Sequence, residues 1–223
     1  MSYPNLPWNL KGEGPLYGGL FLARVKKLRR YIPPRLKVVH VIPGRTLGFF
    51  YCCRFGKGSD IEYNELVLFP ALVRCGKKLG FWGEVMYVDN EDARVGIYDR
   101  SGIPKTMAAF EHDTSIRRIT VSRDGRAMAS VRYAAKPWLT LRNSKNVDFG
   151  RAFGATSQKA FYMSGHFFGR PGLQRTRLII PSGSPHYLGY VGRTFLGFSL
   201  DQFRAKLFKT LQIISTAPKS PFP

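Results

Sequence analysis

The sequence predicts an α+β protein that is mainly β, with a few helices. Short apolar runs rich in Val, Ile, Phe and Tyr recur along the 223 residues, and Gly, Pro, Asp or Asn separates most of them. Two other stretches, one near each end, carry apolar residues at helical spacing. The order of a helix, many strands and a helix favours an antiparallel sheet or barrel.

The first helix is predicted in residues 24–37, RVKKLRRYIPPRLK. Val25, Leu28 and Ile32 share one face at helical spacing, and Pro33 ends the helix. The basic residues then project from the opposite face. This face fits a solvated surface as well as it fits a binding patch.

The middle of the chain supplies the predicted strands. Their apolar and aromatic runs are bounded by turn residues, which is typical of strands. The runs are LKVVHVI, TLGFFYCC, IEYNELVLFPALV, KLGFWGEVMYV, IRRITVS, AMASVRY, KAFYMSGHFFG, TRLII and RTFLGF.

A closing helix is predicted in residues 199–214, SLDQFRAKLFKTLQII. Ser199 would be its N-cap, with Gln202 three residues later. One apolar stripe would follow, formed by Phe203, Leu207, Leu211 and Ile214.

The chain contains no Pro/Ser-rich linker, so we expect residues 1–215 to form a single domain and residues 216–223 a flexible C-terminal tail. It contains no run of eighteen apolar residues, and its first residues have neither a basic nor an apolar leader. We therefore expect no transmembrane segment and a cytoplasmic location.

The formal net charge of +21 raises the question of a polyanionic partner. The excess charge is spread over predicted strands and turns, and the sequence has no RNP signature or zinc-finger spacing. Nucleic acid or an anionic surface is therefore expected to bind only through generic charge. The histidines form no HxH or HExxH pattern, and no CxxC, P-loop, GxSxG or GxGxxG occurs, so we expect no metal site.

One lysine, Lys105, lies in a stretch that otherwise predicts a buried strand, SGIPKTMAAF (101–110). Pro104 favours extended geometry at Ile103, and a period of two places Ile103, Lys105, Met107 and Ala109 on one face. Such a lysine is either a strand-edge residue with its ammonium group in water or a buried amine with a depressed pKa. These ten residues leave both interpretations open.

Three segments around this lysine resemble the acetoacetate decarboxylase-like superfamily: EYNELVLFPALV (62–73), GFWGEVMYVDNEDARVG (80–96) and GIPKTMAAF (102–110). Members tend to show a Tyr-x-Glu strand, then a strand running into a Val-Asp turn with a Gly, and then a Pro-Lys that carries the Schiff-base lysine. The corresponding residues here are Tyr63 and Glu65, Val88 and Asp89 with Gly96, and Pro104 and Lys105.

The resemblance implies a cone-shaped double β-barrel in which Lys105 points into an apolar cavity. It implies a lyase that forms a Schiff base between Lys105 and a β-keto acid or related keto acid, releasing CO2 or performing aldol or dehydration chemistry, without a metal or organic cofactor. Glu65 would orient the substrate or shuttle a proton, although a strand carboxylate is also commonly a solvated residue or a salt-bridge partner. Tyr63, Ile103, Met107 and Arg100 would line the pocket. We also expect a homo-oligomer.

The sequence departs from the family's pattern beside Lys105. Position 106 is Thr106, where the family has a second lysine whose charge helps to lower the pKa of the Schiff-base lysine. A second acidic residue maps near Phe50 and an N-terminal arginine near the turn at 12–14, and neither is present. This combination fits a relative with another substrate. It also fits the alternative of a catalytically silent protein that binds a small apolar carbonyl ligand on the same barrel.

Overall fold

The computed structural model describes residues 6–156, 159–184 and 191–216, including their side chains except at 96–100, 209–211, 215 and 216. Most of this part of the chain is β-strand, which confirms the predicted fold class. Two α-helices are present in it, α1 (Val25–Leu28) and α2 (Glu91–Ser101). The strands are, in chain order, β1 (Trp8–Lys11), β2 (Leu16–Arg24), β3 (Lys37–Val38), β4 (Arg45–Phe55), β5 (Tyr63–Phe69), β6 (Ala71–Cys75), β7 (Lys78–Trp82), β8 (Val85–Val88), β9 (Lys105–Met107), β10 (Ala109–Asp113), β11 (Arg118–Arg123), β12 (Arg126–Tyr133), β13 (Leu139–Thr140), β14 (Lys145–Val147), β15 (Arg151–Ala155), β16 (Lys159–Leu173), β17 (Thr176–Ile179) and β18 (Thr194–Thr216).

The strands form one large sheet and one small sheet. The large sheet has fourteen strands and follows the path β3-β6-β7-β15-β16-β18-β2-β4-β5-β8-β9, with β1 on β18 and with β13 and β14 on β16. The small sheet has the order β10-β11-β12-β17. Among the described residues the pairing of the large sheet is an open path that ends at β3 and at β9, so β9 is an edge strand.

Two hydrophobic cores lie on opposite faces of the shared strands. Along β5, Tyr63 and Val67 enter the first core, whereas Leu66 and Leu68 enter the second. This alternation is what a period of two dictates for a strand that is covered on both faces. The first core also contains Trp8, Tyr51, Met86, Ile103, Met163 and Phe203, and the second contains Phe21, Tyr87, Val121, Val131 and Phe153.

The predicted first helix is present but short. Helix α1 continues into a 3-10 turn, Arg29–Tyr31, and both end before Pro33. Leu28 and Ile32 are buried, as the helical spacing predicted. The guanidinium of Arg29 donates to the backbone carbonyls of Ile32, Pro33 and Pro34, which ties the helical segment to the loop that follows it.

The predicted closing helix over 199–214 is wrong, because this stretch belongs to the long strand β18. Phe203 and Leu207 are four residues apart, a spacing that fits one face of a helix and equally one face of a strand. Between them, exposed Arg204 and Lys206 alternate with buried Ala205, which is a strand pattern. Positive φ angles at Gln202 and Phe208 coincide with irregular register against β16, and these interruptions hid the alternation.

Helix α2 was not predicted and occupies the segment interpreted as a turn. Asn90 is its N-cap, since its Oδ1 accepts hydrogen bonds from the backbone N–H groups of Asp92 and Ala93. Glu91 and Asp92 lie in the first turn, where negative charge favours a helix. The helix connects β8 to β9, which pair in parallel and therefore need a crossover.

In the described part of the chain, no helix is long and apolar enough to cross a membrane. Most of the proposed tail, residues 217–223, lies outside the described residues.

Candidate functional site

Only two charged side chains are buried among those that the structure describes, and they face each other. Lys105 Nζ lies 3.9 Å from Glu65 Oε2, and each side chain is 1% exposed. Burying a charge is costly unless it is paired, so two such groups in contact are unlike an ordinary surface ion pair. The strand-edge interpretation of Lys105 with its ammonium group in water does not hold.

The loop that follows α2 delivers Lys105 to this position. Gly102 has a φ of +65°, and a Cβ atom there would come within 2.6 Å of the backbone nitrogen of Ala155. This left-handed residue ends the helix and lets the chain turn back beside β15. Lys105 then pairs with Met86 at the start of β9.

Aromatic side chains of the first core surround the ion pair. Lys105 Nζ lies 5.5 Å from the ring centroid of Trp8 and 5.3 Å from that of Tyr63, which are cation–π distances. The Tyr51 hydroxyl donates a 2.7 Å hydrogen bond to Glu65 Oε1. Glu65 is therefore held by one hydrogen bond and one cation, whereas Lys105 Nζ has no hydrogen-bond partner among the described residues.

Burial lowers the pKa of Lys105 to about 8, although the nearby charge of Glu65 acts in the opposite direction. Burial also raises the pKa values of the Tyr51 and Tyr63 hydroxyls well above their ordinary value, and the charge of Glu65 raises them further. At neutral pH the tyrosines are thus fixed as phenols. About a tenth of Lys105 is then a neutral amine at pH 7.

A cavity of about 60 Å3 lies beside the ion pair and includes Glu65 and Tyr51 in its wall. Phenylalanine rings and Ile103 form much of the remaining wall. Lys105 is not among the wall residues, whereas Glu65, whose Oε2 lies 3.9 Å from the Lys105 amine, is one of them. The cavity is therefore bordered by the carboxylate of the pair and not by the amine.

Arg151 and Ser164 form part of the same wall and were not found from the sequence. They are opposite each other in the β15–β16 register, so their side chains are neighbours on one face of the sheet. Arg151 Nη1 and Ser164 Oγ are buried and have no hydrogen-bond partner among the described residues, although the Arg151 nitrogen lies 4.0 Å from a carboxylate oxygen of Asp148. Buried polar groups without partners are uncommon and indicate a place where a ligand or water binds.

Of the residues predicted to line the pocket, Ile103 is in the cavity wall. Tyr63 contacts the Lys105 amine and Met107 is half-buried against the first core, and neither is a wall residue of this cavity. The side chain of Arg100 lies outside the described residues. Trp8 and Tyr51 were missed, because nothing in their local sequence distinguishes them from other aromatic core residues.

The comparisons with known proteins agree with this arrangement. Residues 20–155 match the family model described as acetoacetate decarboxylase. No curated protein sequence matches the chain.

Solved structures of acetoacetate decarboxylase-type enzymes share the fold over nearly the whole chain. An acetoacetate decarboxylase from Legionella pneumophila is 11% identical, with a TM-score of 0.71 over 97% of this chain and 90% of that one. The enduracididine biosynthesis enzyme MppR in complex with pyruvate is 12% identical, with a TM-score of 0.66 over 96% and 92%. An acetoacetate decarboxylase-like enzyme from Sphingomonas wittichii RW1 is 13% identical, with a TM-score of 0.62 over 97% and 96%.

At these identities the structural likeness shows the fold, and the family model supplies the sequence evidence independently. Its match spans β4, β5, β8 and β9, which carry Tyr51, Glu65 and Lys105. On this evidence the chain belongs to the acetoacetate decarboxylase family.

Proposed function

We propose that this protein is a lyase that forms an imine between Lys105 and a small keto acid. The observation that carries this proposal is the buried pair itself, a lysine and a glutamate 3.9 Å apart beside a cavity. Such an arrangement costs stability, and its clearest benefit is a reactive amine with a carboxylate at hand. Membership of a family of decarboxylases supports the same chemistry.

In this proposal the neutral amine of Lys105 adds to the carbonyl carbon of the substrate, and loss of water gives a protonated imine. With a β-keto acid, the bond to the carboxylate then breaks, its electron pair moves to the imine nitrogen, and CO2 leaves. Protonation of the resulting enamine and hydrolysis release the ketone and restore the amine. With a 2-keto acid such as the pyruvate bound in the MppR structure, the same imine would instead support aldol or dehydration chemistry.

Glu65 would move protons in these steps. Its carboxylate is near enough to the amine to take the proton that Lys105 must lose, and it can return a proton to the departing hydroxyl group. The hydrogen bond from Tyr51 holds the carboxylate in place while it does so. Because Lys105 does not line the cavity, a side chain of the site must move before the amine reaches the carbonyl of a molecule bound there.

Arg151 would hold the carboxylate group of the substrate, with Ser164 as a second donor. It is a basic residue in the cavity wall with an unused donor, and a charge-assisted hydrogen bond from an arginine suits a carboxylate. We expect Arg151→Gln to raise the KM for keto acids about 10-fold or more, since such bonds contribute about 1.5–3 kcal/mol. The Kd of a neutral ketone with the same carbon skeleton should not change, and an equal loss for both would contradict this role.

The direct test of the imine is borohydride reduction with a panel of β-keto and 2-keto acids, followed by peptide mass analysis. We expect an adduct at Lys105 at pH 7 and none at Lys77, an exposed lysine that serves as an internal reference. Lys105→Met should remove the adduct. Absence of an adduct at Lys105 with every keto acid would refute the imine mechanism.

A second candidate is a protein that binds a small apolar carbonyl ligand without turnover. The absence of Lys105 from the wall of the cavity favours it, because a ligand could occupy the cavity without meeting the amine. This candidate predicts that keto compounds raise the melting temperature equally in the wild type and in Lys105→Met. Turnover that depends on Lys105 would reject it.

A further inference from the structure

A second, larger depression adjoins the cavity. This apolar groove has a volume of about 340 Å3 and is bordered by Leu139, Leu141, Val147, Leu173, Leu196 and Phe198, among others. Leu139, Leu141 and Leu196 remain 36–48% exposed, so the groove opens to solvent. Its wall contains no charged residue, and Ser199 supplies its one polar side chain among the described residues.

Phe149 belongs both to the wall of the groove and to the wall of the cavity. Its ring stacks on Phe198 of the groove at a centroid distance of 5.4 Å and on Tyr51 of the cavity at 6.2 Å. Tyr51 in turn donates its hydroxyl hydrogen bond to Glu65. One aromatic ring therefore separates the ion-pair site from an apolar surface that is open to water.

The volumes of the cavity and the groove suggest that they bind different parts of one ligand. The cavity, at about 60 Å3, has room for only a few atoms, whereas the groove falls within the range of about 300–1,000 Å3 that is usual for ligand sites. A wall without charges favours an alkyl chain over a sugar, a peptide or a nucleotide, whose polar groups would lose their water.

We infer that the ligand of this protein is a carbonyl compound with an unbranched alkyl chain of several carbons, whose carbonyl end enters the cavity and whose chain passes Phe149 into the groove. The identity of the reacting end rests on the proposed function, but the site for the chain does not. Each methylene buried in the groove contributes about 0.8 kcal/mol, which is about a fourfold gain in affinity.

The test uses methyl ketones from butanone to decanone, which keep the carbonyl group and cannot lose CO2. Their Kd values are measured by isothermal titration calorimetry on the wild type, Lys105→Met, Leu141→Glu and Ile116→Glu. Ile116 is the matched control, since it is as exposed as Leu141 but lies in the turn between β10 and β11, away from the groove. Leu196→Glu is a second groove variant, in case Leu141→Glu does not fold.

We expect Kd to fall about fourfold per methylene in the wild type and in Ile116→Glu until the groove is filled. The chain-length dependence should be lost in the groove variants and kept in Lys105→Met. A Kd that is independent of chain length in the wild type, or an unchanged dependence in both groove variants, would overturn the inference. So would dissociation of an oligomer in the groove variants by sedimentation velocity, because the groove would then be covered by a second copy of the chain.

The outcome for the chain site is separable from that for the imine. If Kd depends on chain length but no borohydride adduct forms, the alkyl-chain site in the groove is supported and the imine mechanism is refuted. If an adduct forms at Lys105 but Kd does not depend on chain length, the imine mechanism is supported and the alkyl-chain site is refuted.

Discussion

The two hydrophobic cores share the strands β2, β4, β5 and β8 and differ in what they bury. The first core encloses the charged pair of Glu65 and Lys105 and borders the cavity. The second core, between the large and the small sheet, buries no charged side chain among the described residues, and its enclosed space measures about 10 Å3 around Leu66 and Leu68. Close packing is the ordinary way to stabilise a domain, so the departure from it in one core indicates function there.

The largest expected difference between the cores is in activity. Lys105→Met should lower turnover about a thousandfold or more, because no other described side chain near the cavity can form the imine. Leu68→Ala in the second core should instead lower the free energy of unfolding by about 2–5 kcal/mol and leave the adduct at Lys105 in place. Turnover and denaturant melts on both variants test this contrast, and comparable turnover in Lys105→Met and the wild type would break it.

The cost of the buried lysine should appear as a dependence of stability on pH. The pKa of Lys105 is about 8 in the folded protein and 10.5 ordinarily, so between these values the unfolded chain binds a proton that the folded protein does not. The free energy of unfolding therefore rises with pH over this window, by about 3 kcal/mol in total from this residue. In urea melts, the free energy of unfolding should rise by about 3 kcal/mol more from pH 7.5 to 10.5 in the wild type than in Lys105→Met, and parallel curves would contradict this prediction.

Glu65 should control the pKa of Lys105. Its negative charge favours the ammonium form, so Glu65→Gln should lower the pH midpoint for reaction of Lys105 with a small carbonyl reagent by about one pH unit. Glu84→Gln is the matched control, since Glu84 is a half-buried carboxylate that accepts a hydrogen bond from Trp82. A midpoint that stays near pH 8 in Glu65→Gln would show that the pair is not electrostatically coupled.

The smallest effect is expected at Thr106. A lysine placed there adds a like charge, which disfavours the ammonium form of Lys105 and lowers its midpoint. Because successive residues of a strand point to opposite faces, the shift should be only a few tenths of a pH unit, less than that of Glu65→Gln. Thr106→Gln, of similar length without the charge, should leave the midpoint unchanged, and a rise in Thr106→Lys would have the wrong sign.

The site could be predicted from the sequence where it depends on local pattern. Pro104 and the period of two placed Ile103 and Lys105 on one buried face, and the Tyr-x-Glu spacing puts Tyr63 and Glu65 on one buried face of β5. The buried face of this segment is shorter than predicted, because β9 ends at Met107. The next residue, Ala108, is buried, and Ala109 is exposed. The parts that could not be predicted, Trp8 and Arg151, come from distant strands whose own sequences contain no sign of the lysine.

The sequence by itself determined the mainly β class, the position of the first helix and most strand positions, and its resemblance to a known family associated the lysine with a Tyr-x-Glu strand. The tertiary structure decided that β18 is a strand, that α2 exists, and that Glu65 rather than Lys105 faces the cavity. The physical reason is that strand and helix periods coincide at a spacing of four residues, so only the pairing of β18 with β16 and β2 resolves them. Burial, likewise, is a property of all the strands that surround a side chain, and no single strand encodes it.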